Sequence, residues 1–236
     1  MYKRQALDAT RAEAVVHAAT LNVDDCERDL SLAERVNVVT SGMLARLCRE
    51  RGMRLVALST DLVFDGSRAA SREDDAAAPL LVYGRTKLAG EQAAGPEALV
   101  LRTSWVCGFH GGNMVKTILR LAGEHDRLGF VDDQRGHPTF ADDLAAKTLE
   151  LLEEDLRGVA HVTNRGAVTW YEFARAVLEA AGDDPERVDP ITTADLPRPA
   201  PRPANSVLDN AVLRAAGIDL LDDFRVPLSR LVDRLH

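Results

Sequence analysis

A tyrosine and a lysine stand four residues apart in the segment Tyr83-Gly84-Arg85-Thr86-Lys87. On a helix, this spacing places the phenol and the ammonium on one face, about one turn apart. A phenol has a pKa near ~10, too high for ready proton exchange at neutral pH, and a nearby ammonium lowers that pKa. The pair therefore suits general acid or base catalysis. Spacing alone leaves open a solvated helical pair without a catalytic role.

Two hydroxyls, Ser59 and Thr60, end an apolar run at residues 54–60. Such runs are typical of strands that are buried on both faces of a parallel sheet. Ligands of open α/β sheets bind at the carboxyl ends of the strands, so Thr60 can meet a carbonyl group beside Tyr83. These hydroxyls and the Tyr83–Lys87 pair together predict a site for hydride transfer. The alternative is that Thr60 only caps a loop through a local hydrogen bond.

Apolar strands and amphipathic helices alternate along the chain and predict an α/β sheet with right-handed crossovers. The predicted strands cover residues 14–19, 54–60, 98–104, 128–131 and 158–163. The predicted helices cover residues 29–51, a segment starting near Tyr83, 113–123, 140–154, 170–182 and two short pieces in the tail. A proline-rich stretch at residues 196–205 is predicted to be extended.

Composition excludes several classes of protein. The 236 residues carry a net charge of −8, which argues against a nucleic-acid partner. No apolar run approaches the roughly 18 residues of a membrane helix, and the chain does not open on the apolar segment of a signal peptide. We therefore predict a cytoplasmic protein without a membrane partner. The cysteines form no CxxC pair and the histidines no HExxH pair, so no metal site is predicted.

Longer blocks of sequence resemble the extended short-chain dehydrogenase/reductases. They are LSTDLVFDG at residues 58–66 and VYGRTKLAGE at residues 82–91. More narrowly, the chain is similar to the dTDP-4-dehydrorhamnose reductase family, whose further blocks match residues 102–106, 133–139 and 202–208 in the same order. The resemblance implies a Rossmann-like doubly wound parallel sheet with a smaller C-terminal substrate lobe.

The resemblance implies an enzyme of rhamnose biosynthesis, which serves cell-surface polysaccharides. The expected reaction is NADPH- or NADH-dependent reduction of the C4 keto group of dTDP-4-dehydro-L-rhamnose to dTDP-L-rhamnose. Tyr83 would protonate the C4 alkoxide, and Lys87 would lower the Tyr83 pKa and hold the nicotinamide ribose. Thr60 would hydrogen-bond the C4 oxygen, and Trp105 would line the sugar pocket.

The same resemblance assigns Ala18, Ala19 and Ser59 to the cofactor, together with Tyr83 and Lys87. It also allows Mg²⁺, although no motif in the sequence locates an ion. The expected partner is the dTDP-sugar substrate, and a homodimer is allowed.

The glycine-rich turn that binds the pyrophosphate in dinucleotide folds is not found before residue 14. We therefore interpret the nucleotide lobe as lacking its N-terminal βα units and residues 1–5 as a non-native scar. The incomplete lobe is predicted to comprise residues 6–108 and 140–163, and the substrate lobe residues 109–139 and 164–236. Impaired cofactor binding is expected of such a chain.

Other functions remain open. A sugar-nucleotide-binding or regulatory subunit, resembling the methionine adenosyltransferase β subunit, shares this fold but need not keep Thr60, Tyr83 and Lys87. Another NDP-sugar epimerase, dehydratase or reductase is a further alternative. Dehydratases usually carry Asp-Glu after the threonine, whereas Asp61 is followed here by Leu62. Many relatives carry Tyr at the Leu62 position, which leaves the sugar open.

Overall fold

The computed structural model describes Leu7, Thr10 and residues 12–235. The interpretation of residues 1–5 as a scar lies outside the described residues. A four-stranded parallel sheet forms in the order β1-β2-β3-β8. These strands are β1 Ala14–His17, β2 Arg54–Thr60, β3 Leu99–Thr103 and β8 Gly158–His161. The predicted α/β class with a parallel sheet is confirmed.

Helices and shorter strands surround this sheet. The α-helices of the described chain are α1 Val23–Arg28, α2 Leu30–Glu34, α3 Thr40–Arg51, α4 Val82–Ala94, α5 Met114–Glu124, α6 Ala141–Glu153, α7 Trp170–Ala180, α8 Ala211–Ala215 and α9 Arg225–Leu235. The remaining strands are β4 Val106–Cys107, β5 Leu128–Val131, β6 Arg135–Gly136, β7 Thr139–Phe140, β9 Val168–Thr169 and β10 Val188–Ile191. A π-helical turn, Arg35–Val39, joins α2 to α3, and 3₁₀ turns cover Asp61–Val63, Pro185–Arg187 and Thr193–Asp195.

The sheet is covered on both faces because its apolar side chains alternate along each strand. Leu55 and Ala57 pack against α3 and α4 on one face. Val56 and Leu101 pack against α6 and α8 on the other. The near-continuous apolar runs of the sequence follow from this double burial.

Local capping fixes the predicted helices. Asp29 caps the long helical segment by accepting a hydrogen bond from Leu32 N at 2.8 Å. Asn113 and Thr169 cap α5 and α7, as expected from the sequence, and Thr169 forms a capping box with Glu172. These residues accept the backbone N–H groups that a helix leaves unpaired at its start.

A second hydrophobic core gathers α5, α7 and α9 with β5 and β10. The sequence analysis did not predict β10, which contains Pro190 and pairs only with β5 in the described chain. It also missed α1 and the strands of two residues, which are too short to show a period. Separate cores are compatible with two lobes, whose boundaries remain a prediction.

The strand β1 forms an edge of the main sheet within the described residues. Its Val16 side chain is about half exposed. No helix in residues 12–235 combines the length and apolar character needed to cross a membrane.

Candidate active site

A cavity of about 830 Å³ opens at the carboxyl ends of β2 and β3. The predicted site residues that line it are Ala18, Ser59, Thr60, Tyr83, Lys87 and Trp105. Ala19 is exposed and does not line this cavity. The fold thus brings residues from β2, α4 and the loop after β3 to one place, and their roles remain predictions.

Two glycines let α4 approach the site closely. A Cβ atom on Gly84 would lie 2.1 Å from the carbonyl oxygen of Leu62, in the turn after β2. A Cβ atom on Gly90 would lie 2.4 Å from the carbonyl oxygen of Asn37, in the π-helical turn. Real side chains do not tolerate such distances, so glycine at these positions allows Tyr83 to lie beside the end of β2.

Tyr83 remains a phenol at neutral pH. Burial raises the pKa of Tyr83 to about 12, and the charge of Asp61 adds to the rise. Hydrogen bonds with Thr20 and Thr60 lower this pKa but do not offset the burial. The net shift is opposite to the lowering predicted from the Tyr–Lys spacing, because removal of the phenolate from water dominates. The arrangement suits a proton donor.

Lys87 is buried on the same face of α4. Burial lowers the pKa of Lys87 to about 8, while the charge of Glu91 opposes this shift. Its Nζ donates to the carbonyl oxygen of Leu58 at 2.6 Å. A pKa near 8 leaves the group mainly an ammonium at neutral pH. A lysine ammonium carries three N–H donors, so further donors are available to ligand hydroxyls in the cavity.

The position of Thr60 is compatible with both alternatives that the sequence left open. Its Oγ1 accepts from Leu62 N at 3.2 Å, which confirms the local cap. It also lines the cavity and donates to Asp61 Oδ1 at 2.9 Å. Asp61 is 3% exposed, and burial raises the pKa of its carboxyl to about 6.

Behind Lys87 lies a charged network that the sequence reading did not identify. Glu91 accepts hydrogen bonds from Ser59 Oγ and from the guanidinium of Arg102. The sequence signal that could have revealed Glu91 is the spacing of four residues, which separates Tyr83 from Lys87 and again Lys87 from Glu91 on one face of α4. Asn37, in the π-helical turn, is buried and donates to Thr86 Oγ1 at 3.0 Å.

Aromatic side chains also line the cavity. Trp105 adopts a left-handed backbone conformation with φ of 45°, uncommon for a large side chain and strained. Its ring stacks on Trp170 with the centroids 3.6 Å apart and the planes 10° apart. Thr139 N donates to the Trp105 carbonyl oxygen at 3.3 Å. The sequence analysis did not identify Trp170 as part of this site.

Within the described chain, no group of three or more His, Cys, Asp or Glu side chains could hold a metal ion. Cys26, Cys48 and Cys107 are buried free thiols. The groups in the cavity that could act chemically include the hydroxyls of Ser59 and Thr60, the phenol of Tyr83 and the ammonium of Lys87.

A family model described as the RmlD substrate binding domain matches residues 3–236. This chain belongs to that family. A dTDP-4-dehydrorhamnose reductase from Mycobacterium tuberculosis (strain H37Rv) is 43% identical over 222 residues, covering 90% of this chain and 73% of the relative. The resemblance noted in the sequence is therefore confirmed.

Two further members extend the comparison. A probable dTDP-4,6-dihydroxy-2-methyloxan-3-one 4-ketoreductase from Streptomyces antibioticus is 41% identical over 232 residues, covering 95% of this chain and 79% of the relative. A crystal structure of dTDP-4-dehydrorhamnose reductase from Bacillus anthracis, in complex with NADP, superposes with a TM-score of 0.94 at 32% identity. That match covers 98% of this chain and 84% of the other.

Proposed function

We propose that this chain reduces the C4 keto group of dTDP-4-dehydro-L-rhamnose, with NADPH or NADH, to give dTDP-L-rhamnose. The observation that carries the proposal is the convergence of Thr60, Tyr83 and Lys87 on one cavity. Family membership supports the substrate class, since the relatives above are named as reductases of dTDP-linked keto sugars.

The residues present fit the nicotinamide ribose of a nicotinamide nucleotide, and the impaired binding expected from the missing glycine-rich turn remains a prediction. Lys87 can donate to ribose hydroxyls from the N–H groups that do not face Leu58, and Ala18 lines the cavity without filling it. When bound, the cofactor would supply the hydride to C4. NADP in the Bacillus anthracis relative supports this class of cofactor.

Proton transfer falls to Tyr83. As C4 gains the hydride, the carbonyl π electrons move to oxygen, and the Tyr83 O–H donates its proton to that oxygen. A phenol with a pKa of about 12 keeps its proton until a stronger base forms, and an alkoxide is such a base. The Lys87 ammonium stabilises the tyrosinate left behind, and solvent returns the proton.

Thr60 and Trp105 position the sugar. Thr60 Oγ1 lies beside Tyr83 at the end of β2. Its single O–H donates to Asp61 in this structure and would rotate to the C4 oxygen to stabilise developing negative charge. Trp105 offers a flat apolar face to one side of the sugar ring.

A different dTDP-linked 4-keto sugar is the second candidate substrate. The Streptomyces antibioticus relative, with nearly the same identity to this chain, is named for such a sugar. Leu62 also lines the cavity, where it offers no hydroxyl to the substrate. A regulatory subunit is the less favoured alternative because such a protein needs no proton donor.

The test measures the rate at which NADPH absorbance is lost when the chain is mixed with dTDP-4-dehydro-L-rhamnose. The same rate is measured with dTDP-4-keto-6-deoxy-D-glucose for comparison. Faster turnover of the rhamnose precursor supports the first substrate, and the reverse preference supports the second candidate. Saturable binding of the dTDP-sugars without NADPH consumption would favour the regulatory subunit. The homodimer, cytoplasmic location and Mg²⁺ expected or allowed by the sequence remain proposals, and the described residues offer that ion no cluster of ligands.

A further inference from the structure

We propose that the buried Glu91–Arg102 ion pair positions the proton-transfer residues, with Glu91 holding the Lys87 ammonium charged and tying α4 to the end of β2 through Ser59. This inference rests on the proposed reduction, because the proton transfer in that reaction is what requires a charged Lys87. It names Glu91 as a positioning residue that acts through Lys87.

The ion pair is fully enclosed. The side chains of Arg102 and Glu91 are 6% and 7% exposed. Arg102 Nε donates to Glu91 Oε1 at 3.0 Å, and Arg102 Nη2 donates to Oε2 at 2.8 Å. A buried ion pair seldom stabilises a fold more than apolar side chains of similar size, because both ions lose their hydration. Stability alone is therefore a weak reason for this pair.

The pair continues the face of α4 that carries the site. Tyr83, Lys87 and Glu91 follow at intervals of four residues, one helical turn each. Each contacts the last residues of β2. Tyr83 hydrogen-bonds Thr60, Lys87 Nζ donates to Leu58 O at 2.6 Å, and Glu91 accepts from Ser59 Oγ. Tyr83, Lys87 and Glu91 therefore form a column that attaches α4 to β2 directly behind the reacting groups.

Glu91 supplies the negative charge that Lys87 needs. Burial lowers the pKa of Lys87 to about 8, and the charge of Glu91 is the larger of the two influences that oppose this. The other is Cys26 on α1, a thiol whose own pKa burial raises. Without Glu91, Lys87 would lose more of its positive charge at neutral pH and stabilise a tyrosinate less.

The surrounding elements hold Glu91 in place. Arg102, on β3, compensates its charge, and the Phe64 ring lies 5.1 Å from the Arg102 guanidinium carbon. His161 on β8 faces the same network, and burial lowers the pKa of His161 to about 4, so it is neutral at physiological pH. Asp61 acts on Tyr83 from the end of β2. Glu91 is thus the carboxylate beside Lys87 within the column.

The experiment titrates Lys87 directly. The full chain is labelled with lysine carrying ¹³C at Cε, and the pH dependence of the Lys87 Cε shift is measured, with Lys87→Arg used to assign the signal. Glu91→Gln should lower the Lys87 pKa by about one unit, a tenfold fall in the ratio of ammonium to amine. The signals of Lys116 and Lys147, which lie far from Glu91 in sequence and on other helices, should titrate identically in all variants.

A double variant separates charge from folding. Glu91→Gln with Arg102→Met removes both ions, so no buried charge is left alone, and circular dichroism should show a folded chain. Its Lys87 pKa should remain lowered. A Lys87 pKa equal to that of the wild type in either folded variant would overturn the proposal.

If neither variant folds, the Lys87 pKa of the wild type tests the proposal. A Lys87 pKa of about 8 supports the compensated charge. A value near ~6, which burial without compensation produces, would contradict it. The titration needs no substrate or turnover, so failure of the proposed reduction leaves its result intact. With an active chain, the alkaline limb of kcat in Glu91→Gln should move to lower pH, whereas a purely structural role would lower activity equally at all pH values.

Discussion

The two sides of the cavity are built by different means. One side, which we call the proton-transfer wall, consists of Thr60, Tyr83 and Lys87. It lies on the regular elements β2 and α4 and has buried charges behind it. The other, the tryptophan wall, consists of Trp105 and Trp170, held by stacking and a left-handed turn.

The difference indicates that the two walls have different functions, one in chemistry and the other in ligand recognition. Groups on a strand and a helix are held rigidly, as bond-making chemistry requires. The large flat rings of Trp105, in a loop, and Trp170, at the start of α7, suit recognition of a ligand surface. Substitutions in the proton-transfer wall should therefore lower kcat, and those in the tryptophan wall should raise KM. The following expectations run from the largest effect to the smallest.

Tyr83→Phe removes the proton donor and keeps the ring. We expect kcat to fall by about 10² to 10⁴-fold, the usual contribution of a positioned acid, with little change in KM. The measurement is steady-state NADPH oxidation. Tyr171→Phe is the matched control, since Tyr171 does not line the cavity. Equal losses of kcat in Tyr83→Phe and Tyr171→Phe would contradict a specific catalytic role for Tyr83.

Asp61→Asn tests the buried carboxyl beside the proton-transfer wall. The folded-state pKa of Asp61 is about 6, above its ordinary value of 3.8, so the folded chain binds more protons than the unfolded chain between these values. Stability from this group therefore falls as pH rises through that window, by up to about 3 kcal/mol.

Asn cannot titrate, so the stability of Asp61→Asn relative to the wild type should increase over the same window. Urea unfolding at several pH values measures the difference. Asp65→Asn is the control, because Asp65 is exposed and hydrogen bonds with Ser67 lower its pKa. A pH-independent difference between Asp61→Asn and the wild type would show that the carboxyl titrates normally.

Gly84→Ala tests the close approach of α4. The added methyl group meets the Leu62 carbonyl oxygen at 2.1 Å, so α4 or the turn must move. We expect a loss of about 1–3 kcal/mol in unfolding free energy and a lower kcat, because Tyr83 moves with the helix. Gly123→Ala on α5 meets no atom within 4 Å and should not destabilise the chain. Similar stabilities of these two variants would contradict the close approach.

Trp170→Ala removes one ring of the tryptophan wall. Aromatic pairs contribute about 0.5–1.5 kcal/mol beyond their buried area, so KM should rise roughly 2- to 10-fold while kcat changes little. Trp170→Phe keeps an aromatic ring and should restore much of the affinity. A fall of kcat as large as that of Tyr83→Phe would break the division between the two walls.

The comparison also explains what the sequence could predict. The proton-transfer wall follows local rules, since four-residue spacing on a helix and hydroxyls at a strand end are visible in the chain itself. The alternation of strands and helices and the caps at Asn113 and Thr169 follow from similarly local patterns, whereas the order of the strands depends on pairing between distant segments.

Long-range contacts explain the rest. Trp105 and Trp170 are distant in the chain, and their stacking depends on how the loop after β3 meets α7. The pairing of Glu91 with Arg102 joins a helix to a strand. The direction of the Tyr83 pKa shift depends on burial, which spacing does not report.

The most direct test uses a deuterium label to follow the transferred hydride. The full chain is incubated with dTDP-4-dehydro-L-rhamnose and NADPH deuterated at the transferable C4 position, and the sugar product is analysed by mass spectrometry and NMR. The account predicts dTDP-L-rhamnose that carries deuterium at C4. Recovery of unreduced keto sugar, or of a product without deuterium at C4, would contradict it.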